Sequence, residues 1–190
     1  MQTTDLFIKN MVCPRCIKVV KTTLETQHFT VQDIQLGKAV VEGTLTEQQL
    51  QQVALGLQAE GFLLIDDKKQ QLIAGIKSIV VQTVHHSELD EMKENFSTLL
   101  AGKLQKDYHY LSNLFSETEG TTIEQYIIQQ KIERVKELLV YNELSLSEIS
   151  YKMGYSSVAH LSGQFKKVTG LTPSQFKQLK APERIPLDKL

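Results

Sequence analysis

The sequence predicts an α+β chain: a mixed strand–helix domain, a connecting helix, then an all-helical domain. Three observations predict it. Up to residue 66, short apolar runs alternate with two stretches of helical spacing. Between 72 and 84, apolar residues recur at intervals of three and four. From Phe96 onward the pattern is helical, and one segment repeats in register. Tyr110-Leu111-Ser112-Asn113-Leu114-Phe115 returns as His160-Leu161-Ser162-Gly163-Gln164-Phe165. The register then holds without a gap: Gly120 answers Gly170, Thr122 answers Thr172, Gln125 answers Gln175 and Tyr126 answers Phe176. A supersecondary unit repeated in register implies two copies of one device.

The elements follow in order. Leu6-Phe7-Ile8 is a short apolar run, and Ile17, Val20 and Leu24 give Cys16–Thr26 a helical stripe. Val31, Ile34 and Leu36 suggest a strand that turns at Gly37-Lys38 and returns through Ala39-Val40-Val41. Thr46 with Gln49 resembles a capping box for a helix reaching Ala59 and ended by Gly61, with Leu50, Val53 and Leu57 as its stripe. Phe62-Leu63-Leu64-Ile65 is the last strand. This βαββαβ order predicts the split βαβ, or ferredoxin-like, fold. Leu72, Ile73, Ile76, Ile79, Val80 and Val84 read as a connecting helix, with a strand as the minor alternative because of their β-branching. The polar stretch from His85 to Glu94 reads as a hinge.

In the second half, helices are expected near 97–105, 107–118, 122–141, 145–153, 157–168 and 173–179. Asp107 and either Ser156 or Ser157 suit N-caps. Gly120 and Gly170 suit helix ends, and Pro173 suits a helix start. The expected divisions are 1–68, 69–94, 95–181 and a frayed tail over 182–190 with Pro182 and Pro186.

The 190 residues suffice for one large domain or two small ones. A content of 41% hydrophobic and 23% charged residues is that of an ordinary globular chain. No apolar run approaches the roughly 20 residues of a membrane span, and the start lacks a basic leader, so a cytoplasmic, non-membrane protein is expected. The net charge of −1 argues against a nonspecific nucleic-acid coat but not against a site-specific reader with a local basic patch.

The pattern Leu-Ser-x-x-Phe, then Gly, then Thr-x-x-Gln-aromatic resembles the paired helix-turn-helix DNA-binding domain of AraC-type transcription regulators. So do Leu146–Tyr155 as a support helix and turn, and Phe165–Phe176 as a closing signature. The resemblance covers about 96 to 180. It implies double-stranded DNA as partner, read by two recognition helices in successive major grooves. Carried over by position, the base-facing residues are His109, Ser112 and Asn113 in the first copy, and Val158, Ala159, His160 and Gly163 in the second. Asn113 can read adenine through its amide, and Val158 and Ala159 can touch thymine methyls. Gly163 can read nothing directly. Gln105 stands in the first turn where the family usually has glycine. Lys166, Lys167, Ser156 and Ser157 are the main phosphate candidates, with Lys106, Thr122 and Lys131 as weaker ones.

The two cysteines form one Cys-x-x-Cys, Cys13-Pro14-Arg15-Cys16, between the first strand and first helix. In a reducing compartment such a pair is metal-binding or redox-active. Met11-Val12-Cys13-Pro14-Arg15-Cys16 resembles the metal-binding loop of heavy-metal-associated domains in copper chaperones and metal-transporting ATPases. The resemblance implies a soft ion on Cys13 and Cys16, Cu(I) first and Zn(II) second. Met11 reads as a packing residue, and Phe62 sits where such domains often carry an aromatic. A thiol redox role and a purely structural role are the rivals. His28, His85 and His86 show no ligand spacing with the cysteines and read as solvated surface.

The expectation is an AraC-type regulator controlled by a soft metal. A metal carrier using the same cysteines is the alternative. Dimerisation through the ferredoxin-like domain or the 72–84 helix is a further expectation. An enzyme is the least supported class, with neither a nucleophile–base–acid constellation nor a Gly-rich phosphate loop.

Overall fold

The computed structural model describes residues 2–87, 89–92, 94–179 and 184–189. The chain divides into two compact units, Met1–Gln82 and Thr83–Leu190.

The first unit runs β1 (Thr3–Lys9), α1 (Pro14–Thr26), β2 (Val31–Gln35), β3 (Lys38–Glu42), α2 (Glu47–Ala59) and β4 (Leu63–Ile65). Its four strands lie in the order β2-β3-β1-β4, and every neighbouring pair is antiparallel. Alternation puts Leu6 and Ile8 of β1 on the same face, joined by Ala39 and Val41 of β3. Against them pack Val20 and Leu24 of α1 and Val53 and Leu57 of α2. The capping box at Thr46 forms: Gln49 N donates to Thr46 Oγ1 at 3.3 Å and Thr46 N to Gln49 Oε1 at 2.9 Å. The β2–β3 turn needs a glycine at 37. Its φ is +82°, and a Cβ there would lie 2.3 Å from Ser78 Oγ.

The connecting segment is helical throughout. α3 (Lys68–His86) starts at Asp67, whose carboxylate accepts from Lys69 N and Gln70 N at 2.8 and 2.9 Å. It runs from the first unit into the second, with Ile73, Ile76, Val80 and Val84 buried. The expected hinge at His85 is corrected: His85 and His86 form the last turn of α3. His85 is also not solvated surface. It is buried, and its Nε2 lies 2.9 Å from Gln130 Oε1. Both His28 and His86 are exposed.

After a short 3-10 turn, Leu89–Glu91, the second unit continues as α4 (Phe96–Leu104), α5 (Tyr108–Glu119), α6 (Ile123–Tyr141), α7 (Leu146–Lys152), α8 (Val158–Thr169) and α9 (Pro173–Lys177). Asp107 and Ser157 cap α5 and α8, accepting from Tyr110 N and His160 N at 3.1 Å each. Gly120 and Gly170 close those helices in the left-handed conformation. The two copies share two buried anchors. Leu111, Leu161, Phe115 and Phe165 are each fully buried, which stabilises by about 1.5–3 kcal/mol per side chain. Phe115 tilts onto Tyr126 at 5.6 Å between ring centroids, and Phe165 meets Phe176 edge-on at 5.5 Å.

Pro182 lies outside the described residues. Residues 184–189 are not free as expected: Ile185 N donates to Glu133 Oε2 at 3.1 Å, and Arg184 pairs with Glu137 at 3.8 Å. Among the described residues, no helix is long and apolar enough to cross a membrane.

Candidate nucleic-acid interface and cysteine loop

Each copy places a support helix, a tight turn and a second helix in sequence: α4 and α5 in the first, α7 and α8 in the second. The first turn is closed by Gln105, a non-glycine residue in the left-handed conformation at φ 51°. That conformation costs an ordinary residue roughly 1–2 kcal/mol. In the second copy Gly154 takes the equivalent shape at φ +66°.

The apolar side of α5 is turned inward through Leu111, Leu114 and Phe115. His109 and Asn113 are exposed one turn apart, and Ser112 is half-buried. The Asn113 amide donates to His109 Nε2 at 3.2 Å. Behind them, the Tyr108 hydroxyl donates to Glu124 on α6 and holds that carboxyl below the usual carboxylate range.

The exposed side of α8 carries Ala159, His160 and Gly163, with Val158 half-buried. Ser156 Oγ lies 3.1 Å from His160 Nδ1, and the Tyr155 ring meets the imidazole edge-on at 5.3 Å. Lys166 and Lys167 are exposed in the last turns of α8. Lys106 is exposed in the first turn, and Thr122 is exposed while its hydroxyl accepts from Gln125 N at 3.1 Å.

Lys131 departs from the phosphate role expected of it. Its Nζ points into the second copy, donating to the Met153 carbonyl at 3.0 Å and lying 5.3 Å from the Tyr155 ring centroid. Burial lowers its ammonium pKa. Position explains this: Lys131 is on the face of α6 that packs against the second turn, so its charge is spent on a carbonyl there.

Two contributors escaped the sequence reading. Tyr155 is buried and donates its hydroxyl to Gln164 Oε1 at 2.7 Å, tying the turn to α8. A tyrosine directly after the turn glycine was the available signal, because a buried phenol needs a partner. Gln130 is fully buried and donates to the Tyr126 hydroxyl at 3.0 Å while facing His85. Nothing in its sequence surroundings marks it.

The cysteine loop stands apart in the first unit. Cys13 is the N-cap of α1 and Pro14 its first residue. Cys16 N donates to the Cys13 carbonyl at 2.9 Å, which brings the two free thiols to 3.3 Å between sulfurs. Burial alone would raise both thiols. At Cys13 the Cys16 thiol, the backbone N–H groups of Cys16 and Arg15, and the Arg15 charge outweigh it, and the pKa falls. At Cys16 burial prevails and the pKa rises. Cys13 is thus the more readily ionised of the two thiols and Cys16 the less. Met11 is buried in the core, as is Phe62, and Cys16 packs against the same cluster. Among the described residues, no group of three or more His, Cys, Asp or Glu gathers to hold a metal.

Residues 100–179 match the family described as "Helix-turn-helix domain". Over 79 residues the chain is 34% identical to the Msm operon regulatory protein of Streptococcus mutans, which covers 42% of this chain and 28% of that protein. Over 69 residues it is 35% identical to the xylose operon regulatory protein of Escherichia coli K12, covering 36% of this chain and 18% of that one. The chain thus spans less than a third of the length of either relative. In fold it is similar to the C-terminal domain of AraT, a response regulator from Geobacillus stearothermophilus, with a TM-score of 0.50 at 20% identity over 63% of this chain and 92% of that one. It is equally similar to a Chromobacterium violaceum regulator with an AraC-type DNA-binding domain, at TM-score 0.50 and 19% identity, over 59% of this chain and 96% of that one. Residues 100–179 of the chain are therefore a helix-turn-helix domain.

Proposed function

We propose that the chain is a sequence-specific DNA-binding transcription regulator that reads two adjacent half-sites, one with α5 and one with α8. The observation that carries this reading is the pair of helix-turn-helix units, capped and anchored alike, each presenting an exposed polar or small-residue face opposite its buried one. The matched relatives are operon regulators rather than enzymes. On this reading His109, Ser112 and Asn113 face one half-site, and Val158, Ala159, His160 and Gly163 face the other. Lys166, Lys167, Lys106 and the N-termini of the reading helices position the phosphates. The two helices differ at most of these positions, so the half-sites differ in sequence. A gel shift with the DNA upstream of the chain's own gene, run at two salt concentrations, tests this. A specific complex that survives competitor DNA is the expected result, and a complex that any DNA removes equally overturns it.

We further infer that the first unit is a ferredoxin-like domain of the heavy-metal-associated kind. Its βαββαβ order, the strand order β2-β3-β1-β4 and the placement of Cys-x-x-Cys before α1 support this. The donor set fits a soft ion of low coordination number: two convergent thiols, one with a lowered pKa, with no third ligand among the described residues. Cys13 and Cys16 would hold it, with Cu(I) favoured over Zn(II). The 3.3 Å sulfur separation also suits a redox pair. Operator affinity measured with Cu(I), without it, and in Cys13→Ser tests metal control. Equal affinity in all three removes metal control and leaves DNA binding intact.

A further inference from the structure

We propose that His160 is the specificity-determining side chain of α8, donating from Nε2 to the major-groove edge of a guanine, and that Ser156 and Tyr155 are positioning residues that hold its ring. The inference rests on the DNA-reading assignment above and deepens it.

A histidine on an exposed helix turn is ordinarily free to rotate. This one is held on two sides by residues that precede the helix. Ser156 Oγ takes Nδ1 at 3.1 Å, and the Tyr155 ring stands against the imidazole at 87° and 5.3 Å. Tyr155 is itself fixed. Its hydroxyl is bonded to Gln164 at 2.7 Å, and Lys131 lies over its ring while holding the Met153 carbonyl at 3.0 Å. The ring is therefore oriented before any ligand arrives, which lowers the ordering cost of a contact.

The rest of the face strengthens the assignment. Among the described residues 158–164, the exposed ones are Ala159, His160 and Gly163, and only His160 carries a polar side chain. With Nδ1 engaged, Nε2 is its remaining polar atom. With Ser156 donating to Nδ1, Nε2 carries the ring proton and is a donor. A single outward donor suits guanine, whose N7 and O6 acceptors lie side by side. Adenine sets a donor beside its N7. Ser156, expected from sequence to bind phosphate, is on this account occupied with the histidine.

The test uses the full chain. Selection from a random duplex library defines the preferred site, and fluorescence anisotropy then measures affinity for each single-base change. In the α8 half-site, His160→Ala should flatten selectivity at one G·C pair by about tenfold or more, while other positions keep theirs. Ser156→Ala should weaken selectivity at that same pair by a smaller factor. Replacing its guanine with 7-deazaguanine should make wild type and His160→Ala bind alike, a result independent of any folding defect. A His160→Ala loss that is uniform across sequences, or no loss at all, overturns the inference and leaves the DNA reading standing. A wild type that selects no sequence overturns both.

Discussion

His85 brings a ring nitrogen into the interior of the second unit, where Gln130 meets it and Tyr126 completes the chain. Burial lowers its pKa from 6.5 to about 4, with the Arg134 and His86 charges pushing the same way and the Gln130 bond and Glu137 opposing. The folded state thus binds its proton later than the unfolded state as pH falls. Stability from this group is full above pH 6.5 and is lost between there and pH 4. Acidification from pH 7 to pH 5 should therefore cost about 2 kcal/mol through His85 alone. Urea unfolding of wild type and His85→Gln at both pH values checks this. The glutamine keeps a polar partner for Gln130 without titrating, so its loss should be smaller by that amount, and equal losses would refute the account. The sequence could not place this group. A histidine in a polar stretch looks solvated, and only the fold sets Gln130, 45 positions away, against it. Lys131 misled for the same reason: its Met153 partner lies 22 positions away.

Elements were legible where their signals are local. Thr122 and Thr172 cap α6 and α9, and Gln125 and Gln175 sit where the capped amides lie. The recurring Thr-x-x-Gln-aromatic is therefore a cap followed by a ring that covers Phe115 or Phe165. Such pairings need only spacing to be seen. Leu111, Phe115 and their counterparts Leu161 and Phe165, shared by the two copies, build the unit, whereas Asn113 and Gly163, which differ, are exposed. Gly163 shows the difference between a glycine the fold requires and one it does not. A Cβ built there meets nothing within 4 Å, and its φ is not in the left-handed region. Gly163→Ala should stabilise α8 by about 0.5–1 kcal/mol. Thermal melting should show this as a rise of roughly 2–6 °C. At Gly37, with φ +82° and Ser78 Oγ 2.3 Å from the built Cβ, alanine should lower the midpoint instead. A fall at both positions would show that α8 has a reason for its glycine within the fold.

How firmly α5 and α8, the helices proposed to read DNA, are joined is set by the element between them. The element between them is α6, 19 residues and so about 28 Å long. Its inner face holds polar groups that are fully partnered: Gln130 with Tyr126, and Glu133 with both Lys136 and Ile185 N. Buried polar networks of this kind resist bending, because any shift leaves a desolvated group unpaired at about 1–3 kcal/mol. α5, α7, α8 and α9 all pack against α6, so the spacing of α5 and α8 is fixed by the fold rather than by DNA. Successive major grooves on one face lie roughly 34 Å apart. A rigid reader is then sensitive to phase and distance together. Adding about 5 base pairs between the half-sites turns the second to the far side of the duplex, and affinity should fall to that of one half-site. Adding about 10 restores the phase but moves the second half-site a further 34 Å, and a rigid α6 cannot follow, so affinity should stay low. A flexible linkage would recover affinity at the longer spacing. Anisotropy titrations on the three duplexes separate the cases: recovery at the longer insertion refutes the rigid linkage, and no change at the shorter one refutes simultaneous reading by both helices.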